Sequence, residues 1–124
     1  MGAGAERTFA LDERTFEFAP DVRLFVKSLP RTICNLEDGK QLVRSSGSVG
    51  ANYIEANESL SKKDFRLRMR IARKDAKESR YWLRLLDTQS NDAVENQRQR
   101  LIGESLELVK ILSAILNAFD DGRA

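Results

Sequence analysis

Between Phe65 and Leu86, seven residues recur at alternating steps of four and three: Phe65, Met69, Ala72, Ala76, Ser79, Leu83 and Leu86. Such spacing places all seven on one side of an α-helix and makes a heptad seam. The middle of the seam is Ala, Ala and Ser, where a helix in a bundle usually carries Leu or Ile. A partner helix can approach closely only at such a place. The segment Arg44–Ala56 repeats the oddity, with Ser45, Ser48, Asn52 and two glycines, Gly47 and Gly50. Gly inside a helix costs about 1 kcal/mol relative to Ala, so two of them imply close helix approach, a kink or a ligand-facing backbone.

The rest of the chain fits an all-α reading. Only two prolines occur, Pro20 and Pro30, and strand-like alternation is scarce. Phe18, Val22, Phe25 and Leu29 form one helical face, with Pro20 suited to its first turn and Leu29-Pro30 to its end. Asn35 is the expected cap of a second helix reaching Ser59 or Leu60. Ser61 caps a third, running to about residue 88, and Asn91 caps a fourth, ending near Phe119 before Asp120-Asp121-Gly122. Its seam is Val94, Leu101, Ser105, Leu108, Leu112, Ile115 and Phe119. Short connections call for antiparallel neighbours, hence an up-down-up-down four-helix bundle. The domain reading is an N-terminal arm over 1–15, one bundle over 16–120 and a tail over 121–124.

Composition excludes several kinds of chemistry. The 124 residues contain no histidine and one cysteine. Ser-His and Cys-His catalysis and His-containing metal sites are therefore ruled out. No catalytic residue, metal ligand or cofactor is expected. Glu55 and Glu78 as a carboxylate pair are the residual enzymatic reading, against which a di-iron bundle would need Glu-x-x-His. Cys34 reads as a small buried hydrophobe in a reducing cytoplasm. No stretch has the length of a membrane span or a signal peptide, so no membrane partner is expected.

The third helix carries two further faces. Leu67, Ile71, Tyr81, Trp82 and Leu85, with Glu78 among them, form a second apolar stripe. A single bundle needs one stripe per helix. The second calls for a homo-oligomer interface, or for cover by a wide core or the N-terminal arm. The other face reads Arg66, Arg70, Arg73, Lys77, Arg80 and Arg84. Lys62–Arg84 holds ten basic and three acidic residues although the whole chain is only +2. Such a row repels itself unless neutralised. Either nucleic-acid phosphates do so, or carboxylates do, with Glu95, Glu104 and Glu107 of the fourth helix available. On the second helix Gln41, Ser45, Ser48, Asn52, Glu55 and Ser59 share a face. Ser48, Asn52, Glu55 and Glu78 read as a polar helix–helix seam, or else as the lining of a pocket or pore. In the seam reading Glu55 would meet an arginine of the third helix.

Taken together, Arg44-Ser-x-x-Ser48, Asn52-x-x-Glu55-Ala56, Lys63-Asp-Phe65 and Ala72-Arg-Lys-Asp-Ala-Lys-Glu78-x-x-Tyr-Trp-Leu83, with Leu29-Pro30 upstream, resemble the bacterial four-helix-bundle family of 23S rRNA intervening-sequence proteins. The resemblance spans roughly residues 18–119. Asp75 stands where Glu is commoner in that family, and Gly47 and Gly50 are variable positions. The resemblance implies a ring-like homopentamer with no established enzymatic activity. It also brings in a distant relative, the accessory variability protein of diversity-generating retroelements, a basic pentamer that binds nucleic acid and a reverse transcriptase. The expected partners are thus copies of the chain itself, structured RNA or DNA, or a partner protein such as a polymerase.

Overall fold

The second, third and fourth helices each start where a short polar side chain takes up free backbone N–H groups. Those groups have no partner inside the helix, and a capping side chain supplies one. The computed structural model describes residues 3–122, with side chains from residue 10 onward. Its order is α1 (Ala3–Lys27), α2 (Ile33–Asn57), α3 (Lys62–Leu85) and α4 (Asp92–Asp120). Among the described residues there is no strand. Ser61 accepts from the Asp64 amide and Asn91 from the Val94 amide, as their sequence positions suggested. For α2 the cap is Thr32, which accepts from the Asn35 amide.

Asn35 is not a cap but a tie between two connections. Its side-chain amide donates to the carbonyls of Pro30 (3.0 Å) and Asp87 (2.9 Å), and its oxygen accepts from the Asp87 N–H (2.9 Å). It is 4% exposed. The partner lies 52 residues away, so local spacing could not reveal this role.

α1 is continuous from Ala3, where the sequence reading placed an arm through residue 15. Leu11 and Thr15 are buried and extend the four-three face of Phe18, Val22 and Phe25 by two steps. Thr15 hid the extension by being polar, but its hydroxyl donates to the Leu11 carbonyl at 2.8 Å, which lets it enter the core. Pro20 lies inside the helix rather than in its first turn. The hydrogen bond it forgoes belongs to the carbonyl of Phe16, a residue 65% exposed, where water can replace it. Residues 1, 2, 123 and 124 of the expected arm and tail lie outside the described residues.

The helices close into a ring of pairings. α2 packs most extensively on α3, α3 on α4 and α1 on α2, and the thinnest seam joins α1 to α4. One core fills the centre, with Phe18, Phe25, Leu42, Met69, Leu83 and Leu108 among its fully buried side chains. Burying each such side chain contributes about 1.5–3 kcal/mol. The α1–α4 seam is clasped by a two-pronged ion pair in which Arg14 donates through Nε and Nη2 to Glu104, both at 2.8 Å. That bond raises the Arg14 pKa above its ordinary value.

Close approach occurs at Gly50, one of the two glycines that suggested it, whereas a Cβ on Gly47 would meet only the end of the Arg23 side chain at 3.6 Å. A Cβ on Gly50 would stand 3.3 Å from the Thr15 carbonyl oxygen of α1, so a side chain there would press on backbone. α3 ends at Leu85, short of the expected residue 88. Gln89 (φ 51°) and Ser90 (φ 60°) then turn the chain in the left-handed region, and the Asn91 amide donates to the Thr88 carbonyl at 3.1 Å. Gly122, at φ 74°, follows the end of α4. Cys34 is exposed, not buried, because it falls on the outward side of α2.

Candidate nucleic-acid interface

Helical periodicity sets α3 between its two neighbours and leaves one sector to solvent. Met69, Ala72, Ala76, Ser79, Leu83 and Leu86 are buried, and Phe65 is half-buried. The α2 side begins at Ser79, whose hydroxyl lies 2.9 Å from that of Ser45. The α4 side begins at Arg73, whose Nη1 donates to the Ser113 hydroxyl at 3.4 Å.

The basic row occupies the border between α4 and solvent. Arg70, Lys77 and Arg84 are exposed, and Arg66, Arg73 and Arg80 are half-buried. The stretch from Arg70 to Arg84 runs about 21 Å at the helical rise. Arg66 donates through Nε to Asp120 at 2.8 Å, and its guanidinium carbon sits 5.2 Å from the centre of the Phe119 ring. Among the described residues, Arg66 is the one member of the row with a carboxylate in salt-bridge range. The Nε of Arg80 is buried without a hydrogen-bond partner.

The acids that the sequence offered as neutralisers are engaged elsewhere. Glu104 holds Arg14, Glu107 lies 3.8 Å from Lys110, and Glu95 pairs with Arg98. Arg98 also donates to the Leu86 carbonyl and so caps the end of α3. The bonds from Arg98, then those from Gln99 and Thr88, hold the Glu95 pKa down to about 2 against a smaller opposing effect of burial. Glu104 is turned to α1, Glu107 stands beside Lys110 of its own helix, and Glu95 is taken up by Arg98 at the end of α3.

The second apolar stripe divides by depth. Leu67, Tyr81 and Leu85 are 53%, 55% and 50% exposed, whereas Ile71 and Trp82 are half-buried. Trp82 packs against the core and receives Tyr81 edge-on, their ring centres 5.0 Å apart. The Trp82 Nε1 is buried without a partner.

The polar residues of α2 split in the same way. Ser48 and Asn52 are half-buried, and the Asn52 amide donates to the Ser48 hydroxyl at 2.9 Å. Arg68 donates to the Asn52 oxygen at 3.3 Å. The α3 arginine therefore reaches Asn52, while Glu55, expected to receive it, is exposed. Glu78 is half-buried and 3.5 Å from Arg44. Within α2 and α3, two buried polar residues were missed from the sequence: Ser46, bonded to the Val43 carbonyl at 3.2 Å, and Asp75, 4% exposed. The phase of the Ala72–Ala76 seam was the available signal for Asp75, which stands one residue before Ala76. Among the described residues, no three His, Cys, Asp or Glu side chains gather to hold a metal.

Three comparisons bear on this arrangement. A family model described as 23S rRNA-intervening sequence protein matches residues 8–114. The chain is also similar to a solved structure, the crystal structure of a protein of unknown function from the S23 ribosomal protein family of Bacteroides thetaiotaomicron. The two are 30% identical with a TM-score of 0.74, over 89% of this chain and 97% of that one. No curated protein matches the chain.

Proposed function

The chain belongs to the 23S rRNA-intervening sequence protein family, and we propose that it is a binding protein rather than an enzyme, holding structured RNA or another nucleic acid on the basic face of α3. One observation carries this reading. From Arg70 to Arg84 the row has no carboxylate in salt-bridge range among the described residues, and Glu104 and Glu95 of α4 are held by Arg14 and Arg98. An unanswered row of this kind suits a phosphate backbone, which gains from releasing its counterions.

The chain acts in this reading as a homo-oligomer in the cytoplasm. Exposed Leu67, Tyr81 and Leu85 beside half-buried Ile71 and Trp82 support self-association. The ring-like pentamer follows from the family resemblance. The up-down-up-down order is part of the same reading, and it is supported by Asn35, which brings the first and third connections together. No helix among the described residues is long and apolar enough to cross a membrane.

The test is size exclusion with light scattering, read with the 260/280 nm absorbance ratio of protein purified at low salt, followed by RNA and DNA binding at rising salt. Affinity should fall by about 10³-fold or more between about 50 and 200 mM salt if six phosphates are engaged. Arg70→Glu, Lys77→Glu and Arg84→Glu together should abolish binding and leave the oligomer intact. Absence of affinity for any RNA or DNA at about 50 mM salt would end this reading. A second reading, an oligomeric scaffold docking a partner such as a polymerase, draws on the same exposed apolar stripe. Retention of a protein but no nucleic acid in a pull-down, lost on Leu67→Glu with Leu85→Glu, would favour it.

A further inference from the structure

A cleft of about 520 Å³ opens between the end of α1, the connection after it and the first half of α2. It lies apart from the α3 row. Its walls are Val26, Leu29, Pro30, Leu36 and Val43. Gly39 lines it too, and a Cβ there would touch Val26 Cγ1 at 3.4 Å, so the missing side chain helps to make the space. Leu36 is 44% exposed, and Ile33, one turn earlier on α2, is 81% exposed. The volume falls within the ordinary range for ligand sites.

The rim is charged with one sign. Lys27, Arg31, Lys40 and Arg44 all line the cleft, all are exposed, and no acidic residue lines it. Lys27 and Arg31 have no carboxylate in salt-bridge range among the described residues. Lys40 lies 3.7 Å from Glu37 with both side chains about 70% exposed, and Arg44 lies 3.5 Å from Glu78. Exposed pairs of that length are weak and easily exchanged.

We propose that this cleft docks an acidic, apolar peptide segment of a partner protein, its hydrophobic side chains seated between α1 and α2 and its Asp or Glu residues on the four cations. Charge complementarity chooses the occupant. An apolar floor inside a cationic rim matches a chain segment that alternates apolar anchors with carboxylates, as in helix-in-groove recognition. Nucleic acid fits less well, because no aromatic side chain lines the cleft for a base to stack on. A phosphate backbone also gains nothing from the apolar floor. The proposal stands independently of nucleic-acid binding by α3.

The test selects a random peptide library against the full chain and measures the enriched peptides by fluorescence anisotropy. Enriched sequences should carry two or three apolar anchors flanked by Asp or Glu. Lys27→Glu combined with Arg31→Glu and Lys40→Glu should weaken them at least about tenfold, the effect of losing a few charge-assisted contacts. These rim residues are exposed, so thermal melting should be unchanged. Val43→Glu should weaken the same peptides, while the triple α3 variant of Arg70, Lys77 and Arg84 should leave them unaffected. No enrichment, enrichment without acidic flanks, or indifference to the rim variants would overturn the proposal. So would tighter binding at the cleft by decanoate or by a single-stranded oligonucleotide than by any selected peptide.

Discussion

On its inward side α3 sets Ala72, Ala76 and Ser79 fully buried, whereas about a third of a turn away Arg70, Lys77 and Arg84 stand in solvent. The two sides interleave along the same stretch of sequence and are constrained by different physics. Inside, volume decides: the small residues let α2 and α3 form the most extensive pairing in the molecule, and the Ser45–Ser79 bridge at 2.9 Å satisfies their hydroxyls. Outside, charge is present in excess and packing imposes little. A substitution should therefore cost stability on one side and binding on the other.

The largest break in this contrast is Leu83→Ala, at a side chain with no exposure. It should lower unfolding stability by about 2–5 kcal/mol, read from a urea melt. Ala76→Leu tests the narrow seam from the opposite direction by adding volume. It should cost about 1–3 kcal/mol, and a neutral result would mean that α2 and α3 can separate freely. A position bound by neither rule sharpens the comparison. A Cβ on Gly103 of α4 would meet nothing within 4 Å, so Gly103→Ala should stabilise by about 1 kcal/mol in the same melt.

The end of the buried side depends on pH. Arg98 joins Glu95 to the last carbonyls of α3, and it holds the Glu95 pKa at about 2 from an ordinary 4.5. A carboxyl with a depressed folded pKa contributes stability that is present above pH about 4.5 and lost as pH falls towards 2. Denaturation at stepped pH should show that decline, and Glu95→Gln should flatten it. Because the pair is partly exposed, the amplitude should be on the order of 1 kcal/mol or less. Smallest of all, Arg70→Ala, Lys77→Ala and Arg84→Ala should each change stability by less than about 0.5 kcal/mol. A larger loss would show that the row belongs to the packing after all.

The residues differ in how legible they were before the fold was known. The α3 seam, the Ser61 and Asn91 caps and the stop at Gly122 could be read directly, because each depends on neighbours within about one turn. The first half of α1 was missed because Thr15 breaks an otherwise apolar face. Asn35 was read as a cap because nothing local points to Asp87. For the candidate site, the six bases were legible as a row, but which of them carboxylates leave free was not. The sequence offered Glu95, Glu104 and Glu107 as partners, and Asp120 is the acid that arrives.

By itself, then, the sequence determined that the chain makes four helices, which side of α3 faces inward and where charge accumulates. Those properties follow from a repeat of 3.6 residues that every residue shares with its own neighbours. Only the tertiary structure decided that Arg68 meets Asn52, that Gly50 faces Thr15, and that Lys27, Arg31, Lys40 and Arg44 surround one cleft. These pairings join different helices, or a helix and a connection, and depend on how each helix is turned about its axis when the shared core closes.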